Sequence, residues 1–349
     1  MHASRPGAVV GALVAVATAA ATLLVLTPAA DGAGKKTVSR VTATWPAATA
    51  TLGQTATVHG TVTSKRLEAR KVSVYVSLKS GWRLAGSTRS TASGKFSVTL
   101  PTSYYYSRPV QLRSPATGRA QAVVTKPRTF TVTPASAPAP SRYSWKPAVA
   151  GQETRVNPCA PVTYRINPGV PTSGAASSAM VTAAFKRLGE ATGITFRNLG
   201  YTTAFPRPRG AAPTPWPTDS TIVVAWAKPD ATQTFYELGG DPRFAIYSQS
   251  GILATRTAHD AQGPVRRITR AGVVLDAAPD PTSGALELRS WSLMHELAAS
   301  LGLGAVTDGN QKMSEIIPNA AVDTSWGAGD LSGLNRVGLV EGCVTDGRR

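Results

Sequence analysis

Trp291-Ser-Leu-Met-His-Glu-Leu-Ala-Ala-Ser-Leu-Gly-Leu-Gly304 is the stretch that decides how this chain is read. It is predicted to be a helix, ended by its glycines. Within it stand His295 and Glu296, side by side. Alone, that dipeptide describes two ordinary helix residues in the floor of a cleft. Its surroundings give it a context. Upstream, Met180, Val181, Ala184, Phe185 and Leu188 mark one face of an amphipathic helix that ends near Gly189 or Gly193. A short strand is expected over 194–196 and a central, almost wholly apolar one over 221–227. Edge or hairpin strands are expected over 244–248 and 252–257, and a further strand over 272–276. Downstream comes Met313, then Trp326-Gly-Ala-Gly-Asp-Leu-Ser-Gly-Leu334.

Strand, helix, strands, then a helix bearing His-Glu with Gly302 seven residues after the histidine and a later methionine: this order resembles the metzincin metallopeptidases, of the matrixin-like secreted bacterial type. That family carries H-E-x-x-H-x-x-G-x-x-H followed by a Met-turn. Two histidines at i and i+4 share a helix face, the glycine breaks the helix, and the returning chain brings a third imidazole to the same zinc. The glutamate accepts a proton from zinc-bound water. The resemblance implies an α+β domain over 151–346, with a mixed sheet, an active-site helix and a C-terminal helix. It makes His295 a zinc ligand, Glu296 the general base and Met313 the Met-turn residue, and it makes the stretch from Trp326 to Leu334 the family's terminal helix, with Asp330 at its N-cap.

The catalytic part of the match is broken. Ala299 stands where the second histidine belongs and Ala305 where the third belongs. Alanine offers no donor atom, so His295 is a vestigial single ligand and Glu296 a vestigial base. His259, Asp276 and Asp308 are ligand types, but nothing in the sequence places them around His295. No cofactor is expected; zinc is expected only if the family activity survives. The function expected is that of a catalytically inactive pseudopeptidase acting by peptide, protein-partner or cell-envelope binding. An active zinc metalloendopeptidase with a non-standard ligand set is the alternative. No Ser-His-Asp or Cys-His triad is suggested, and Gly239-Gly240 lacks the helix and Lys-Ser/Thr of a phosphate cradle.

Cys159 and Cys343, the only cysteines, lie near the two ends of this domain. In an oxidising compartment they are expected to pair, with two buried thiols as the other reading. The compartment is suggested by the first 33 residues. A short basic start is followed by an uncharged apolar run from Ala8 to Leu26, then by small residues. That is the pattern of a secretory signal peptide, and its length also suits an uncleaved signal anchor. Either places the folded part outside the cytoplasm.

Residues 38–134 are expected to form an all-β sandwich. Val72, Val74, Val76 and Leu78 alternate with polar residues, Phe96, Val98 and Leu100 repeat the pattern, and Ala56, Val58 and Val62 do so after Gly53. With Ser80-Gly81-Trp82 and Ala92-Ser93-Gly94-Lys95-Phe96, this segment resembles bacterial Ig-like modules of secreted proteins. His59 falls on the solvent parity. A Pro/Ala-rich linker is expected over 135–150.

The chain has 349 residues and a net charge of +18, from 37 Lys+Arg against 19 Asp+Glu. The charge is unevenly placed. From Thr37 to Pro134, 14 basic residues face the single acid Glu68, giving +13; from Ala150 to Arg349, 18 face 17, giving +1. An anionic cell-envelope polymer is therefore a candidate partner of the sandwich, beside the bland reading of a solubilising surface. Sequence-specific nucleic-acid recognition is not expected. Two cysteines and four histidines exclude a disulfide-dense miniprotein and any site of many imidazoles.

Overall fold

The computed structural model describes residues 36–65, 68–134, 142–146, 152–169, 174–206, 215–227, 248–277, 285–315 and 325–346. The signal-like segment, Gly239-Gly240 and the start of the strand expected at 244–248 lie outside the described residues. The protein is sheet-rich and contains several separate sheets.

In the N-terminal unit, valines alternating with polar residues build two sheets over one core. One sheet is antiparallel, with β1 (Arg40–Thr44) and β6 (Lys95–Thr99) flanking β3 (Thr57–Thr63). The other runs β2 (Thr49–Thr51), β9 (Arg128–Thr133), β7 (Tyr106–Ser114), β4 (Lys71–Leu78), β5 (Gly81–Arg89), with β8 (Val123–Val124) on β7. Val58, Phe96 and Val98 from the first sheet meet Val72, Val74, Val110 and Phe130 from the second in one buried cluster. Each such side chain contributes roughly 1.5–3 kcal/mol relative to exposure. His59 points to solvent, as its parity predicts. Arg70 does not: it is 2% exposed. Its guanidinium donates to Ser39 Oγ at 2.6 Å and to the carbonyls of Pro115 at 2.7 Å and Gln121 at 2.8 Å. Burial pulls its pKa below the ordinary arginine value, with Glu68 opposing.

The C-terminal unit is built on a mixed sheet. β14 (Ile222–Ala227), buried at every residue, lies between β12 (Val162–Asn167) and β16 (Pro264–Asp276), parallel to both. β13 (Phe196–Tyr201) extends the sheet beyond β12, and β11 (Thr154–Arg155) adds parallel to the start of β16. β15 (Ser248–His259) runs antiparallel along the opposite side of β16. Three helices, α1 (Gly174–Thr192), α2 (Ala285–Ser300) and α3 (Ala328–Val337), complete the core. Phe185 of α1 stacks on Tyr164 of β12 with ring centroids 3.8 Å apart.

Three strands differ from their sequence expectation. β13 begins at Phe196, because Ile194 is buried where the chain leaves α1. β15 is a single strand through 252–257, with a register irregularity between Ile252 and Thr255. β16 starts eight residues earlier than 272, through three arginines that interrupt the apolar pattern. Two of those arginines have side-chain partners. Arg266 donates to Thr255 Oγ1 at 3.1 Å and Thr257 Oγ1 at 3.0 Å, and Arg267 pairs with Asp346 at 2.5 Å.

The two units touch directly. Leu339 and Val340, in a 3-10 turn (Leu339–Glu341), are buried in the sandwich's own cluster. Lys79 pairs with Glu341 at 2.5 Å, and the Tyr105 N–H donates to the Glu190 carbonyl at 2.8 Å. Cys159 and Cys343 form a disulfide with Cα atoms 5.2 Å apart. Among the described residues no helix is long and apolar enough to cross a membrane.

Candidate functional site

Helix α2 carries His295 and Glu296 on residues flanked by the buried Leu293, Met294 and Leu297. The helix ends at Ser300, and Gly302 adopts φ +114, the left-handed side where a side chain is strained. A Cβ there would lie 2.2 Å from the Thr154 carbonyl. The chain then reverses into β17 (Leu303–Gly304) and a turn in which the Val306 N–H donates to the Met313 carbonyl at 2.8 Å.

This reversal brings the residues singled out in the sequence to one place. His295, Glu296, Ala299, Ala305 and Met313 all line a single cleft of about 540 Å³. His295 Nδ1 lies 2.9 Å from the Lys312 carbonyl oxygen. A carbonyl only accepts, so Nδ1 carries the proton in this bond, which leaves Nε2 as the ring nitrogen that faces away from it. Trp291 stacks beside the ring at 5.4 Å. Glu296 Oε1 accepts from Ser248 Oγ, on the edge strand β15, at 3.1 Å. Met313 is buried in the core cluster.

Asp330 has a different position from the one expected. Gly327 is the N-cap of α3 and Asp330 is its third residue. The carboxylate reaches back to the Gly327 N–H at 2.9 Å and also accepts from the Lys312 and Met313 N–H groups at 2.5 and 3.0 Å. It therefore ties the turn under the cleft to the terminal helix. Burial pushes its pKa up, against the pull of those three donors.

The other ligand types do not converge. His259 is at the far end of β15 from Ser248, backbone-paired with Thr345. Asp308 folds its own turn, accepting from the Asn310 N–H at 3.0 Å and from Gln311 Nε2 at 3.2 Å, and these bonds lower its pKa. Asp276 closes β16 and is not among the cleft's lining residues. Cys159 and Cys343 are spent in the disulfide, beside the sandwich, with Arg83 3.5 Å from Cys159 Sγ. Among the described residues no three His, Cys, Asp or Glu side chains converge as a metal set. With one imidazole nitrogen and two alanines at the implied ligand positions, the residues present do not fit a zinc ion.

Lys146 is a cleft residue that the sequence reading does not single out. Residues 142–146, within the expected linker, are not a spacer: Ser144 and Trp145 form β10 (Ser144–Trp145), antiparallel to β17. Lys146, the next residue, lines the cleft, and its Nζ lies 3.4 Å from both the carbonyl and Oγ of Ser250 on β15. Burial lowers its pKa, and the Glu296 carboxylate opposes the shift. The available signal was Tyr143 and Trp145, two aromatics out of character in a Pro/Ala spacer.

No family model and no curated protein matches the chain. Among solved structures, one neighbour is a crystal structure of a Paenibacillus sp. cycloisomaltooligosaccharide glucanotransferase complexed with cycloisomaltoheptaose. It is 11% identical with a TM-score of 0.20, over 75% of this chain and 36% of that one. A likeness at that score carries no argument about this fold or its activity. This chain spans little more than a third of that enzyme's length.

Proposed function

We propose that this chain is a matrixin-like, metzincin-type peptidase relative that has lost its zinc site and works by binding a peptide or protein segment without cutting it. One observation carries the proposal: His295, Glu296, Ala299, Ala305 and Met313 share a single cleft wall although they span two elements and a turn. Gly302, with its positive φ, is the residue that permits the return. The mixed sheet with an antiparallel strand beside Glu296, and the terminal helix tied to the Met313 turn through Asp330, are consistent with it.

The residues define what such a site does. His295 Nε2 is not engaged by the Lys312 carbonyl, and the Glu296 carboxylate is held by Ser248 through one oxygen, so the cleft offers polar groups to a peptide backbone. No second imidazole stands among the described lining residues, so Glu296 has no complete zinc ligand set beside it to hold a water for deprotonation. Purified protein analysed for metal is expected to carry no stoichiometric zinc and to show no chelator-sensitive proteolysis. Tight equimolar zinc with such proteolysis would sink the proposal and favour the non-standard ligand set. Ala299→His combined with Ala305→His is expected to create zinc binding; a folded double variant that binds none counts against the geometry.

A second reading concerns the sandwich, which we place among bacterial Ig-like modules of secreted proteins. Arg113 lies 4.3 Å from the Tyr75 ring centroid and 5.5 Å from that of Trp82. A cation held between aromatic rings on a +13 unit suits an anionic envelope polymer. Binding to such a polymer should fall steeply between low and physiological salt, and a flat response would leave the charge a solubility feature. The disulfide supports an extracytoplasmic location.

A further inference from the structure

We propose that Lys146 is the resident cation of the cleft: its ammonium group, delivered by β10 into the cleft that Glu296 also lines, occupies the electrostatic place that a metal ion would otherwise take. This rests in part on the reading of the cleft as a degenerate peptidase site, because that reading is what makes a positive charge in the cleft of Glu296 meaningful.

The backbone leading to Lys146 is fixed at several points. Ser144 and Trp145 pair with Gly304 and Leu303, and Ser144 Oγ donates to the Ala305 carbonyl at 2.6 Å. The Lys146 N–H donates to the Gly302 carbonyl at 2.9 Å. Trp145 is clamped from two sides, by Tyr143 edge-on at 5.8 Å and by the Arg336 guanidinium at 5.7 Å. Gly304 lets the strands approach: a Cβ there would stand 2.6 Å from the Trp145 carbonyl oxygen. The position held by Ala305 in the implied ligand set is thus hydrogen-bonded, through its own carbonyl, to the segment that carries the lysine.

From this anchor the side chain crosses the cleft. Its amine reaches Ser250 on β15, the strand whose Ser248 holds Glu296. Lys146 therefore links the β17 side of the cleft to its edge strand. It is the only Lys or Arg among the described lining residues, which also include the carboxylates Glu296 and Glu315. An ammonium in the cleft that Glu296 and Glu315 line offsets their negative charge, the task a divalent cation performs where three imidazoles are present. The same ammonium repels any second cation. Loss of two ligands and acquisition of an internal counter-charge are then two halves of one change: a cleft whose charge balance no longer needs a metal.

The test is a set of full-length variants, each checked for folding by circular dichroism. Zinc affinity is compared between Ala299→His/Ala305→His and the same pair with Lys146→Met. Removing the ammonium should tighten zinc by at least about tenfold, the effect of taking one partly desolvated unit charge away from the ion. Equal or weaker affinity would overturn the role of Lys146 while leaving the peptidase-like geometry intact. If the histidine pair folds and binds no zinc at all, the geometry fails, and Lys146 is decided by a second measurement. In the otherwise natural sequence, the NMR titration midpoint of the Lys146 amine should move down in Glu296→Gln, because the carboxylate holds the proton on. A midpoint that stays in place or rises overturns the proposal.

Discussion

Asp260 and Arg155 form a buried pair, 7% and 1% exposed, with Arg155 NH2 donating to Asp260 Oδ2 at 2.5 Å. Burial alone would push the Asp260 carboxyl upward. The Gln262 N–H, the Arg155 guanidinium and the Gly263 N–H outweigh it, and its pKa falls below the ordinary aspartate value. A carboxylate whose folded pKa is depressed contributes stability above its unfolded pKa, near ~3.9, and loses it as pH falls through the folded value. Asp260→Asn should therefore flatten the acid limb of stability below about pH 4. At neutral pH it should cost about 3–5 kcal/mol, because it leaves Arg155 buried with little beyond the Gly342 carbonyl at 3.2 Å. Urea unfolding across pH checks both; an unchanged acid limb would mean the pair is not the titrating element. Neither residue was visible as a pair in the sequence, where they lie 105 positions apart and Asp260 is one acid among 19. His295, Glu296 and Met313 stand out in the sequence only through the resemblance to the metzincin motif, with Gly302 seven residues after the histidine.

At the scale of elements, the strands with clean alternation were legible: β4, β6 and the wholly apolar β14 lie where valine patterns put them. From sequence alone β16 starts only at 272, since arginine reads as a break, while the sheet accepts Arg266 with Thr255 and Thr257 across from it. β10 was missed altogether. Two residues carry no periodicity, and its stability comes from packing on β17 rather than from its own composition. That dependence is testable through the partner. Gly304→Val would place side-chain atoms within contact of Ser144 Oγ and the Trp145 carbonyl. Overpacking of this kind costs about 1–3 kcal/mol. It should also release β10, seen as faster labelling of Lys146 by an amine-reactive reagent with the label on Lys186 unchanged. Equal labelling of Lys146 before and after would show that β10 is held elsewhere.

At the scale of the molecule, the sequence divides the chain by charge and rhythm, but it is silent on the seam between the parts. The 3-10 turn that follows α3 inserts Leu339 and Val340 into the sandwich's core, and Lys79 closes over Glu341. Local patterns cannot report such a contact, as its halves lie 262 residues apart. Calorimetry should accordingly find the two units unfolding together. Val340→Asp, which puts an unpaired charge into that core, should separate the melt into two transitions while each sheet keeps its own circular dichroism. A single transition in the variant would mean that the units are coupled by other contacts. The disulfide adds a consequence of another kind. Cys159 and Cys343 are 184 residues apart in sequence, so they enclose nearly the whole C-terminal unit in one covalent ring. A single protease cut anywhere inside that ring opens it without releasing a fragment. The nicked molecule would run at full mass until reduced, and only a second cut or a reductant could let any piece of the cleft leave.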